Sequence, residues 1–219
     1  MNDRILDIHR HLKAGEEQVL HPEAVIGTCI GRDRFEPVEE QLYSAGIHPW
    51  HAVNAEAPET LWEELEEIAV RPDVVAIGEC GVDLGPQGGP LYKQLLLFKR
   101  HVELSERLGK PIVIHDVKAH DIIAGARRDL KPRQNWAIHG FRRNAATAQM
   151  LLRAGCYISF GPEFNEEAVR AVPADRILAE TDESDVEIKT VIARISAARG
   201  EEMEETLRRN AASFLNFEF

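Results

Sequence analysis

Short runs of apolar and β-branched residues recur along the chain, and most are followed by a longer stretch whose apolar residues return every three or four positions. The short runs read as strands at residues 5–9, 25–30, 43–48, 74–80, 112–115, 136–139, 157–160 and 177–180. Amphipathic helices are predicted over residues 59–70, 91–108, 119–130, 145–154, 166–171 and 186–198, with a closing helix over 201–215. Helix punctuation agrees with these bounds: Pro58 precedes one helix, Gly109-Lys110-Pro111 and Gly155 follow two others, and Pro173 stops a fourth.

Eight strand signals alternating with helices predict parallel βαβ units closed into a TIM-type (β/α)₈ barrel, an α/β fold formed by residues 1–219 as one domain. An open doubly wound sheet would carry a glycine-rich phosphate loop after an early strand, and neither GxGxxG nor GK[ST] occurs. The connections over residues 12–24 and 31–42 are too short for full barrel helices. The first two helices are therefore expected to be shortened or missing. That would leave an apolar strip for a partner subunit to cover, in a homo-oligomer.

Composition narrows the setting. The 44% hydrophobic content is ample for a core, and no stretch approaches the ~18 consecutive apolar residues of a membrane span. "MNDRILDIHR" is charged and lacks the pattern of a signal peptide, so the chain reads as cytoplasmic, with no membrane partner. Cys29, Cys80 and Cys156 lie inside apolar, strand-like stretches and read as reduced core thiols. A net charge of −11 excludes a protein that coats itself in duplex nucleic acid, because phosphate binding needs a basic surface. A nucleic-acid substrate would have to be gripped locally.

The candidate chemistry lies at the strand ends, where such a barrel gathers its active site. "DIHRHL" offers His9 and His11, "AGIHPW" His48, "AIGECGVD" Glu79, "PIVIHD" His115, "WAIHGF" His139, and "ILAETD" both Glu180 and Asp182. Side chains two apart on a strand share a face. His9 and His11 can thus converge on one point, while parity alone does not choose between Glu180 and Asp182. Imidazoles and carboxylates at successive strand ends predict divalent metal ions, two per chain. Such donors suit zinc, manganese, iron or nickel, and less readily an all-oxygen magnesium or calcium site. Glu79 could bridge two ions ~4 Å apart, the arrangement that polarises a phosphoryl oxygen and activates water.

Those six motifs, in that order, resemble the TatD family of metal-dependent deoxyribonucleases in the amidohydrolase superfamily, with the likeness running from residue 5 to about residue 215. The resemblance implies that His9, His11 and Asp182 hold one metal, that Glu79 bridges, and that His115 and His139 hold the second. It further implies that Asp182, with Glu79 the catalytic carboxylate pair, takes the proton of the attacking water, that Glu180 is a structural neighbour, and that His48 contacts the substrate phosphate. The implied substrate is DNA or another phosphodiester, attacked at ends or in single strands. Three positions depart from the family pattern: Val117 stands where an arginine is usual, "GFRR" replaces "CFSG", and Ser184 replaces a proline. Lys118, Arg142 and Arg143 are the candidate substitutes for gripping phosphate. These departures leave open an amidohydrolase-type small-molecule hydrolase (phosphoesterase, lactonase or amidase), and a weakly active metal-binding scaffold. Arg10 is expected to point away from the site, and His101, mid-helix, to be exposed.

Overall fold

The computed structural model describes residues 4–13, 16, 18–54 and 58–217. Eight parallel strands follow one another around a closed barrel: β1 (Asp7–Arg10), β2 (Ala24–Cys29), β3 (Leu42–Gly46), β4 (Val74–Asp83), β5 (Ile112–Val117), β6 (Trp136–Ile138), β7 (Tyr157–Phe160) and β8 (Ile177–Ala179). The pairing of Asp7 with Ala179 closes the ring. Around it lie α1 (Pro49–Asn54), α2 (Pro58–Ala69), α3 (Leu91–Leu108), α4 (His120–Leu130), α5 (Ala145–Arg153), α6 (Glu166–Ala171), α7 (Ile188–Arg199) and α8 (Glu204–Phe214).

The strands and later helices fall where the apolar pattern places them. The connection from β2 to β3 contains no helix, and none lies between β1 and β2 among the described residues. The apolar surface left exposed there is small: β2 is buried along its whole length, while Val19 and Leu20 of the β1–β2 connection remain exposed. The short helix α1, which the pattern did not announce, begins at Pro49 immediately after His48; proline's fixed φ suits the first helical turn.

Alternation along the strands carries the chain from core to site. Val25, Val113, Ala137 and Leu178 belong to one buried cluster with Ile5. Two residues further along their strands stand Gly27, His115, His139 and Glu180, on the same face. Strand β4 breaks that regularity. Its pairing with β5 runs from Ile77↔Ile112 to Cys80↔Ile114, so one extra residue is accommodated between them. Gly78 sits in that irregularity at φ 127°, where a Cβ would lie 2.3 Å from the carbonyl oxygen of Val113. Beyond the slip, Cys80 and Val82 pack outward in the helix-facing core, and Glu79 and Asp83 enter the site.

Candidate active site

Glu79 is the centre of the arrangement. It is 5% exposed, and its two oxygens face different histidines. Oε1 lies 2.5 Å from His115 Nδ1, 2.7 Å from His139 Nε2 and 3.3 Å from His48 Nε2. Oε2 lies 3.4 Å from His11 Nε2 and 3.5 Å from His9 Nε2. The backbone brings Asp182 alongside: its N–H donates to His9 O at 2.9 Å and its carbonyl accepts from His11 N–H at 3.0 Å. His9, His11 and Asp182 each offer a donor atom within 4.8 Å of the others, as do His9, Glu79 and His139, and His48, Glu79 and His115. The six side chains expected to meet at the strand ends therefore do meet.

The far nitrogens of His11 and His115 meet acceptors, and that of His139, without a hydrogen bond among the described residues, faces a carboxylate. His11 Nδ1 lies 3.1 Å from Gly27 O, His115 Nε2 lies 3.1 Å from Asp83 Oδ2, and His139 Nδ1 lies 3.5 Å from Glu180 Oε1. With a cation at the centre, these acceptors would take the ring protons on the far side and leave the nitrogens that face Glu79 free to offer lone pairs. Lone pairs and a carboxylate converging on one space call for positive charge between them. His9 sharpens the demand: it is fully buried, and neither ring nitrogen has a hydrogen-bond partner among the described residues. An unbonded buried imidazole costs about 1–3 kcal/mol, a cost removed when a cation accepts its lone pair. The donor set fits divalent metal ions.

His48 differs from the others. The backbone N–H of Trp50 donates to its Nδ1 at 3.2 Å, so the neutral ring carries its proton on Nε2, aimed at Glu79. A ring in that tautomer donates hydrogen bonds and has no lone pair left for a metal.

Electrostatics follow this geometry. Burial opposes charge on Glu79, yet His139 and the hydrogen bonds from His11, His115 and His139 outweigh it and hold the carboxyl well below its usual range. Burial also opposes charge on His139, but Glu79 and Glu180 raise that ring well above the ordinary histidine value. The pair marks the position where the protein field favours a cation. Burial lowers His9 and His48.

Cavities open onto the centre from more than one side. A pocket of about 130 Å³ is lined by Glu79, His48, His115, His139, Asp182 and Arg32. A cleft of about 440 Å³ on one side includes Arg142, Arg143 and Trp50, and one of about 730 Å³ on the other runs along the helix-free β1–β2 side. Lys118 is exposed and lines none of the three. Arg10 turns away to Glu16 at 2.8 Å, as expected.

A family model described as TatD related DNase matches residues 35–216. The chain belongs to the TatD family. Its TatD relatives include the uncharacterized metal-dependent hydrolase YcfH of Escherichia coli K12, 30% identical with 81% of this chain and 77% of the relative covered. YabD of Bacillus subtilis, described in the same words, is 28% identical over 81% and 79%. A protein named 3'-5' ssDNA/RNA exonuclease TatD, from Erwinia billingiae, is 32% identical over 64% of this chain and 56% of its own length. The fold is that of YjjV, a TatD homolog from Escherichia coli K12, with a TM-score of 0.83 at 20% identity over the whole of both chains. No helix among the described residues is long and apolar enough to cross a membrane.

Within this TatD chain, several functional neighbours escaped sequence reasoning. Asp83 was in view in "AIGECGVD", four residues after Glu79, without an assigned role. Gly27 makes room for the two imidazoles of β1, because a Cβ there would lie 2.8 Å from Cε1 of both His9 and His11. Asp7 staples β1 to β8 by accepting from the Thr181 hydroxyl at 2.6 Å and its N–H at 3.0 Å; burial raises its carboxyl to about 7. His101 is a correction. It is fully buried, donates through Nδ1 to Leu97 O at 2.9 Å and accepts the N–H of Ile47, the residue before His48, at 3.0 Å.

Proposed function

We propose that the chain hydrolyses phosphodiester bonds, with DNA as substrate, attacked at ends or in single strands. The observation that carries this reading is the division of Glu79: one oxygen faces His9 and His11, the other His115 and His139. That is the donor arrangement of a bridged pair of divalent ions, His9, His11 and Asp182 holding one and His115 and His139 the other. Ions held there would supply electrophilic stabilisation of the phosphoryl oxygens and a water acidic enough to ionise near neutral pH.

The chain's own groups have the remaining roles. Asp182 faces the pocket beside His9 and His11 and takes the proton of the attacking water. His48 presents an N–H donor to a substrate oxygen. Arg142 and Arg143 line the 440 Å³ cleft and are better placed than Lys118 to hold the substrate's flanking phosphates. The name of the Erwinia billingiae relative points the same way. A strand gripped in clefts also suits a chain whose net charge of −11 repels an extended duplex.

The experiment is turnover of single-stranded oligonucleotides by protein loaded with Mg²⁺, Mn²⁺ or Zn²⁺ in turn. Cleavage is expected, and Asp182→Asn should lower kcat by about 10²- to 10⁴-fold while much of the metal stays bound. DNA left intact at stoichiometric enzyme with every metal would rule out the nuclease reading.

A further inference from the structure

Arg32 stands at the junction of two cavities. It lines the 730 Å³ cleft and is the only lysine or arginine among the described residues lining the central pocket, where Glu79, Asp182 and Glu183 are the carboxylates. It comes from the helix-free connection after β2, and it is anchored rather than loose. Nε and Nη2 grip Asp33 at 2.8 and 3.1 Å, and Asp33 Oδ2 accepts the Cys29 N–H at 2.8 Å, which ties the guanidinium to the end of β2.

With that edge held, the opposite edge faces the site. Nη1 lies 3.3 Å from Glu183 Oε1, and Nη2 lies 3.0 Å from His11 Nδ1. The second contact depends on a tautomer. When His11 Nε2 offers its lone pair to a cation, the ring proton sits on Nδ1 and points at Gly27 O. An Arg32 N–H then has no acceptor on His11, because arginine is always a donor. With a metal on His11 Nε2, this Arg32 N–H would be free to donate elsewhere, and Arg32 lines the central pocket.

We propose that Arg32 is a substrate-binding residue, donating two hydrogen bonds to the oxygens of the phosphoryl group beside the reacting centre, with Asp33 as its positioning residue. This inference rests on the phosphodiester reading above. It makes binding of the anion conditional on occupancy of the His9–His11 side, and it assigns the helix-free connection a specificity role.

The test uses full-length, metal-loaded protein carrying Arg32→Gln, Arg32→Lys or Asp33→Asn, with metal content measured for each. Loss of a charge-assisted pair of hydrogen bonds should raise KM for a short oligonucleotide by about 10- to 100-fold in Arg32→Gln, with a smaller fall in kcat. Lysine keeps the charge but loses the fork, so Arg32→Lys should fall between, and Asp33→Asn should give a partial KM rise with Arg32 in place. Metal content equal to wild type is part of the expected result. Unchanged KM, or metal lost in step with activity, overturns the proposal. Calorimetric titration with inorganic phosphate separates this inference from the nuclease reading. If wild type cleaves no DNA yet binds phosphate at least tenfold more tightly than Arg32→Gln, the Arg32 assignment stands alone; equal binding removes it.

Discussion

Asp83 Oδ2 lies 3.1 Å from His115 Nε2, on the side of the ring opposite Glu79. The same oxygen accepts the Trp50 indole N–H at 2.5 Å, and Oδ1 accepts the Gly85 N–H at 2.6 Å, so the carboxylate is fixed before it meets the ring. A carboxylate held in this way selects the tautomer of a metal-binding histidine and strengthens its basicity. Asp83→Asn should therefore weaken divalent metal binding by about 10- to 100-fold with little change in melting temperature. Competition of the variant and wild type against a chromophoric chelator measures this, and equal affinities would show that Asp83 does not orient His115.

Gly27 makes a second prediction. A methyl group there would press on the rings of His9 and His11 together, and both rings are enclosed by the barrel. Gly27→Ala should cost about 1–3 kcal/mol of stability by overpacking and should displace both imidazoles. Far-ultraviolet circular dichroism is expected to stay barrel-like while metal stoichiometry falls. Full stoichiometry in a folded variant would mean that the rings can move aside.

The third prediction concerns His101, whose ring is lowered to about 4 by burial. In the unfolded chain the same ring titrates near its ordinary value of about 6.5. Between those values the unfolded state binds the extra proton, so acidification favours unfolding. The contribution is intact above about pH 6.5 and is lost as pH falls toward 4, amounting to at most about 3 kcal/mol. Urea midpoints compared at pH 7 and pH 5 should show a smaller drop for His101→Leu than for wild type. An identical drop in the two proteins would remove His101 from the account.

Strand positions were legible in the sequence because alternation and β-branched runs report burial directly. His115 and His139 were legible because they stand two residues beyond the core positions Val113 and Ala137, and His9 and His11 because two imidazoles follow a short apolar run, although β1 itself slips in register between Asp7 and Arg10. Strand β4 was not legible in detail, since the slip between Ile77 and Cys80 depends on pairing with β5 rather than on any local pattern. Helix α3 misled for a different reason. Its buried face carries Gln94, His101 and Ser105 beside Phe98 and Val102, while Leu91, Tyr92, Leu95 and Leu96 lie exposed. Gln94 is buried because it bonds the Asp83 N–H at 2.7 Å and the Asp83 carbonyl at 2.9 Å. His101 is buried because it holds Ile47. Polar residues there serve backbone groups of the site, and a hydrophobicity pattern reads such positions as solvent-facing. Arg32 and Asp33 were missed because they lie in a connection without helical or strand periodicity.

The slip in β4 resembles a shift of reading frame. Upstream of it the barrel reads Ala76 into its interior and Ile77 toward the helices; downstream it reads Glu79 and Asp83 inward, with Cys80 and Val82 outward. The two carboxylates stay in frame with each other and out of frame with the hydrophobic layer below. Core residues of this strand can therefore be rewritten without moving either carboxylate, whereas a single residue inserted between Glu79 and Asp83 would bring Cys80 or Val82 into one of their places, and one deleted would bring Leu84 or Gly78.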